Sequence, residues 1–131
     1  MEIVLKRVYS PVSPDDGCRV LVDRLWPRGI SKDSAELHTW AKSVAPCTEL
    51  RKRWHADPDH FAAYAAEYRA ELAVDPAAAA LGELAELARR ADRLTLVFGA
   101  KDLDHNHAVV LRDALLERLS DTPSALNENL L

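Results

Sequence analysis

"CRVLVDRLWPRG", residues 18–29, is the stretch on which the fold turns. Val20, Leu21 and Val22 are consecutive apolar β-formers, the pattern of a strand covered on both faces, as strands of parallel sheets are. The run stops at Asp23, Arg24, Trp26, Pro27 and Arg28. Three charges and an indole within six residues are unnecessary for ending a buried strand, and in open α/β sheets ligands bind outside the carboxyl ends of the strands.

Working outward, "EIVLKRVY" (2–9) alternates Ile3, Leu5, Arg7 and Tyr9 against Val4, Lys6 and Val8, the period of a strand. "SPVSPDDG" (10–17) is dense in turn formers. About eight linking residues are short for a parallel crossover, so these two strands either pair antiparallel or are not neighbours. Downstream, Ser31 is placed to cap a short helical turn in "KDSAEL", and "LHTWAKSVA" (37–45) alternates as a third strand.

The middle of the chain reads as helical. Thr48 is the expected cap of "ELRKRWH", and Asp57-Pro58 and Asp75-Pro76 each open a longer helix with proline at its first position. Phe61, Tyr64, Ala65, Tyr68 and Leu72 form one apolar stripe, and Leu81, Leu84, Leu87 and Ala88 another. "RLTLVF" (93–98) is the last strand; after "GAKDLD" comes a helix with Val109, Val110, Ala114 and Leu115 or Leu116 toward the core. Strands at both ends of the order with helices between and after them imply an α/β layer structure: one domain over 1–119, with a small, mainly parallel or mixed sheet of about four strands, and a tail over 120–131, loose or docked.

A chain of 131 residues is one domain by size, and it contains no apolar run near the length of a membrane helix and no charged-then-apolar leader. The expectation is a soluble, cytoplasmic protein that meets no membrane. Cys18 and Cys47 are read as free thiols, since their spacing is no metal signature. The net charge of −4 conceals an asymmetry. Residues 1–55 hold ten Lys and Arg against seven acids, a net of +3; the remainder hold seven against fourteen, a net of −7. An acidic protein with a basic half suits focusing one small anion better than tracking a polyanion, so a small anionic ligand is the expected partner and nucleic acid is not.

Two segments leave strands in the manner of a binding site: residues 21–29, and "LTLVFGAKDLDHNHAVV" (94–110), where Lys101 follows a strand and Asn106 and His107 begin a helix. If the two strand ends lie side by side, Arg24, Arg28, Lys101 and the amides of the helix start converge on a carboxylate or phosphate. Asp23 then holds an arginine in its rotamer or acts as a base, and the first reading fits better, because an Asp beside an Arg favours its ionised form. Trp26 is a packing wedge or a stacking platform; His107 is a pocket acid or a structural histidine. His55, Tyr64 and Tyr68 are weaker candidates. His105 and His107 point apart on a helix and make no metal pair. Asp102, Asp104 and Asn106 start like a calcium loop but meet His107 where that loop requires glycine. No phosphate-binding glycine loop, nucleophile elbow or zinc spacing is present, and no cofactor is called for.

Together, "KRVY", "RVLVDRLWPRG", "WAKSVAPCTELRKRWH", "LTLVFGAKD" and "HNHAVVL" resemble the domain of unknown function 488 family, in its short YeaO-like branch, from about Lys6 to Leu119. The resemblance implies a Rossmann-like α/β domain and no particular reaction. The family's longer branch has Asp-Val-Arg and Pro-Ser-Arg where this chain has Asp23-Arg24 and Pro27-Arg28, and it joins its first two strands through a helix that is missing here. By motif match the implied site is Arg7, Asp23, Arg24, Trp26, Arg28, Lys101, Asn106 and His107. Three expectations follow: a cationic pocket for a phosphorylated or carboxylated metabolite or nucleotide, with transferase or hydrolase chemistry centred on Asp23 and His107; a non-catalytic regulatory module that meets nucleic acid or a partner protein; or a purely structural network.

Overall fold

The computed structural model describes the backbone of residues 1–130 and the side chains of residues 1–120. Its strands are β1 (Glu2–Arg7), β2 (Cys18–Leu21), β3 (Thr39–Trp40) and β4 (Arg93–Phe98), and its helices α1 (Lys32–Ala35), α2 (Thr48–Ala56), α3 (Phe61–Leu72), α4 (Ala77–Arg90) and α5 (His107–Leu130). All neighbouring strands run parallel in one sheet of order β1-β4-β2-β3. The molecule is an α/β fold.

β1 and β2 are not neighbours, because β4 lies between them. Residues 8–17, extended, reach about 33 Å, whereas returning along a six-residue strand and across two strand spacings needs only about 22 Å. The link therefore serves as a crossover without a helix. It ends at Gly17, whose φ of +65° places it where a Cβ would collide with the Arg93 carbonyl; only glycine lets β2 enter the sheet this close to β4.

Strand alternation divides the sheet into two unlike faces. Val20, Val22, Leu94, Leu96 and Phe98, with Ile3 and Leu5 beside them, join the main core. Onto it pack Leu50 and Trp54 of α2, Tyr68 and Leu72 of α3, Leu81 and Leu84 of α4, and Leu111 and Leu115 of α5. The opposite face carries Val4, Thr95 and Arg19 in one row and Lys6, Val97 and Leu21 in the next. Only a small core of Val8, Leu21 and Val97 forms there, with Trp26, Ile30 and Leu37 packed on it from loops and Trp40 from β3.

The polar members of that second face are tied together. Asp16, held in a capping box with Ser13, accepts from Lys6 at 2.9 Å and from Arg19 at 2.8 Å. Arg19 also donates to the Ala35 carbonyl at 3.1 Å, and Thr95 donates its hydroxyl to the Asp16 carbonyl at 2.6 Å. Burial disfavours the Asp16 anion, but the hydrogen bonds from Lys6, the Ser13 amide and Arg19 outweigh it and hold its carboxyl below the ordinary range.

Several local expectations change. Cys47, not Thr48, caps α2, with its sulfur accepting from the Leu50 amide at 3.4 Å. Pro58 opens a 3-10 turn that leads into α3, and Pro76 is the cap of α4 rather than its first residue. The third strand contracts to two residues. In α5 the buried positions are Ala108, Val110, Leu111, Leu115 and Leu119, while Leu116 is 44 % exposed. The α5 backbone is helical through Leu130; how the side chains of the expected tail sit lies outside the described residues. Among the described residues no helix is long and apolar enough to cross a membrane, and both cysteines are free.

Candidate functional site

The parallel pairing of β2 with β4 sets the segments 22–29 and 99–107 side by side at the strand carboxyl ends. Val22 still donates to the Val97 carbonyl at 3.0 Å. The next residue, Asp23, accepts the Gly99 amide on Oδ2 at 2.9 Å. From the other side comes His107, the first residue of α5, whose Nε2 stands 2.9 Å from the Val22 carbonyl and 3.2 Å from Asp23 Oδ1. A carbonyl only accepts, so Nε2 carries its hydrogen. The shorter contact takes that hydrogen, leaving Asp23 Oδ1 buried without a hydrogen-bond partner among the described residues.

Neighbouring side chains hold this junction in place. Arg7, at the end of β1, donates from Nε to the Ala100 carbonyl at 2.8 Å and from Nη2 to the Gly99 carbonyl at 3.3 Å, and its guanidinium lies 5.0 Å from the Tyr9 ring centre. Asn106 is 4 % exposed and caps α5: its Oδ1 accepts from the Val109 amide at 3.1 Å, and its Nδ2 donates to the Asp102 carbonyl at 2.7 Å. Tyr68 is fully buried beneath His107, with ring centres 6.2 Å apart, and donates its hydroxyl to the Val44 carbonyl. Burial pushes the Tyr68 phenol well above its ordinary range, so it stays a donor.

The expected site residues therefore separate. Arg7 and Asp23 bond to the Gly99–Ala100 backbone, His107 stands against Asp23 and the Val22 carbonyl, and Asn106 caps α5 at the residue before it. Arg24 turns away, donating to the Ala45 carbonyl at 2.9 Å and the Pro46 carbonyl at 3.2 Å. It does not pair with Asp23; the carboxylate that was expected to hold an arginine holds a main-chain amide instead, because consecutive residues leaving a strand point to opposite sides. Trp26 packs edge-on against Trp40 at 5.3 Å and donates to the Ile30 carbonyl at 2.6 Å, the wedge of the two alternatives. Trp40 in turn donates to the Asp23 carbonyl at 2.8 Å, under Lys42 at 4.1 Å. Arg28 and Lys101 are exposed, and their side chains make no described contact; the Arg28 carbonyl accepts from Tyr9 at 3.0 Å.

Sequence reasoning picked Gly99 for close approach of the backbone but not as the donor to Asp23, and it missed Trp40 and Tyr9 as parts of this junction. It also missed an exposed cluster at the start of α3, where Asp57 accepts from Tyr64 at 3.0 Å and pairs with His60 at 2.7 Å. The hydrogen bond to Asp57 raises the pKa of His60, and the same bond lowers that of Asp57. His55 is exposed. Two depressions of about 450 and 430 Å³ lie beside β1 and at the amino ends of the strands, and neither is lined by Asp23, Arg24, Arg28 or His107.

With this geometry in view, comparison with known proteins places the chain. A family model described as the inactive DUF488-N3 subclade matches residues 2–129. The chain is 45 % identical over 115 residues to the uncharacterized protein YeaO of Escherichia coli strain K12, covering 88 % of this chain and 97 % of that one. It is 44 % identical over 109 residues to the uncharacterized protein Rv3073c of Mycobacterium tuberculosis strain H37Rv, covering 83 % of this chain and 89 % of the relative. No solved structure matches. The chain belongs to the DUF488 family.

Proposed function

We propose that this protein acts by binding rather than by catalysis, and that the rim of its strand carboxyl ends receives the phosphate or carboxylate of a small metabolite or nucleotide. The observation that carries this reading is where the polar side chains end. Arg7, Arg24, Trp26, Asn106 and His107 all donate to main-chain carbonyls, and Asp23 accepts from a main-chain amide. With these contacts made the side chains brace the strand ends rather than reach out toward a substrate, and Asp23 Oδ1, which has no hydrogen-bond partner among the described residues, is buried. The match to a subclade described as inactive supports the same conclusion. The half-buried Asp23 carboxylate repels an anion from the interior, whereas Arg28 and Lys101, in the loops leaving two neighbouring strands, are exposed cations free to meet one at the rim.

A thermal-shift screen against phosphorylated metabolites, nucleotides and carboxylates at two salt concentrations tests this. A ligand at about 100 times its Kd stabilises the native state by about 2.7 kcal/mol, a shift of several degrees. The expected result is a saturable small-anion hit that disappears in Arg28→Ala/Lys101→Ala, with no turnover of the hit. Turnover, or a flat response across the panel, sinks the proposal. A second reading, a regulatory module that meets a partner protein or nucleic acid, draws on Tyr9 and Leu25, which are 47 % and 58 % exposed on the loops around Arg28. Salt-sensitive binding of any duplex, rather than of one small anion, selects that nucleic-acid arm.

A further inference from the structure

The two edges of the sheet differ. β3, at one edge, is two residues long, whereas β1, at the other, has six and pairs only with β4 among the described residues. The Glu2 amide donates to Asp92 and the Val8 amide to Phe98. By the two-residue period, the even positions of β1 thus face β4, and Ile3, Leu5 and Arg7 direct their main-chain groups outward. The Arg7 carbonyl is already taken by the Ser10 amide at 3.1 Å. What remains open is the main chain of Ile3 and Leu5, symmetric about Val4. Devices that normally protect an edge, such as proline, a bulge or a central charge, are missing from "IVL".

We propose that β1 pairs antiparallel with β1 of a second copy of this chain, across a two-fold axis at Val4. In that register Ile3 and the second copy's Leu5 exchange their two main-chain hydrogen bonds, and Glu2 stands opposite the second copy's Lys6; each is paired within its own chain, Glu2 with Arg93 and Lys6 with Asp16, so the register opposes unlike rather than like charges at both ends without needing a new ion pair. Shifting by one residue sets outward groups against inward ones and is forbidden. Centring on Leu5 instead calls on the Arg7 carbonyl and removes the opposed charges. A two-fold arrangement closes on itself, as most oligomers of identical chains do.

The flank beside β1 fits the same occupant. The depression of about 450 Å³ lies along this edge, between Ile3 and Leu5 on one side and Leu103, Val109 and Arg112 on the other. Leu103 is 60 % exposed, and Leu116, seven residues after Val109 on the same helical stripe, is 44 % exposed. The axis at Val4 brings this flank, in which Asp104 and Arg112 stand among the apolar side chains, toward its copy. The result is one continuous eight-stranded sheet, twice the four strands of a single chain, and it does not depend on the proposed anion site.

Sedimentation of the full chain over a wide concentration range is expected to give twice the 14.6 kDa of one chain. Ile3→Pro removes an outward N–H without touching the ladder to β4, and Leu103→Glu charges the flank at an exposed position; each should return the mass to that of one chain with the circular dichroism unchanged. The register has its own readout. In a Cys47→Ser background, Val4→Cys should crosslink to a dimer with oxidised glutathione, since a non-hydrogen-bonded antiparallel pair sets the Cα atoms about 4.5 Å apart, within disulfide range. A single-chain mass at every concentration overturns the proposal, as does a dimer that survives both substitutions or fails to crosslink through Val4→Cys.

Discussion

One face of the sheet is sealed by four helices and holds almost nothing but aliphatic and aromatic side chains; the other is sealed by loops around an acid and two bases. The first is held by area removed from water, which tolerates imprecision. The second is held by directed bonds that fail singly, because each buried charge depends on its partner. The site residues sit where these two regimes meet: Asp23 and His107 lie at the strand ends with Tyr68 from the apolar side and Trp40 from the polar side in contact with them.

The sharpest way to break the contrast is Asp16→Ala. It strands Lys6 and Arg19, the latter 3 % exposed, and is expected to cost about 3–5 kcal/mol in chemical denaturation. A cost near zero would mean that water reaches the pair and that the polar face is not sealed. The pH dependence has a sign of its own. With the Asp16 carboxyl held below its ordinary value in the fold, its contribution is complete above the unfolded-state value and is lost as pH falls through the folded one. Asp16→Ala should therefore flatten the acid limb of a stability-against-pH curve.

On the helix-covered face, Leu96→Ala empties a fully buried position at the centre of the sheet and should cost about 2–5 kcal/mol in the same assay, with no change in the acid limb. At the junction, Arg24→Ala removes a charged donor from two carbonyls and should cost about 1.5–3 kcal/mol, whereas Lys101→Ala, on an exposed loop, should stay within about 0.5 kcal/mol. Equal effects for the two would remove the distinction between tethering and free cations on which the binding proposal depends. The smallest effect is at His60. Its bond to Asp57 should give an NMR titration midpoint above that of an ordinary histidine, falling back in Asp57→Asn. Because His60 is raised and Asp57 lowered in the fold, whatever this pair contributes is present between the two and is lost as pH rises through the His60 midpoint or falls through that of Asp57.

Much of this arrangement was legible from residue types, and what was not has identifiable causes. The unbroken run Val20–Leu21–Val22 marks a strand with both faces covered, and all three are fully buried. That β4 should stand between β1 and β2 is written in no local pattern; it follows from pairing between residues more than seventy positions apart. In α5 the stripe was legible, with Val110 and Leu115 buried and Ala114 packed on the core, and burial decides for Leu115 over Leu116 because one residue is a rotation of about 100°; Ala108 and Leu111 complete the same face. At the site, the residue types were identifiable, but which atom each side chain reaches is set by the approach of residues 45–46, which carry no sequence signature, and of 99–100, where Gly99 signals close approach but not its partner.

The strand order also governs when the fold can exist at all. Among the described strands β4 alone touches both β1 and β2, yet it is made last, so a chain growing from its amino end carries β1 unpaired, and β2 with only the two-residue β3 beside it, until residue 98 of 131 has been added. Sheet formation has to close loops of that length in one late event, which slows folding and leaves the early strands open to chaperones or to neighbouring nascent chains on the same messenger.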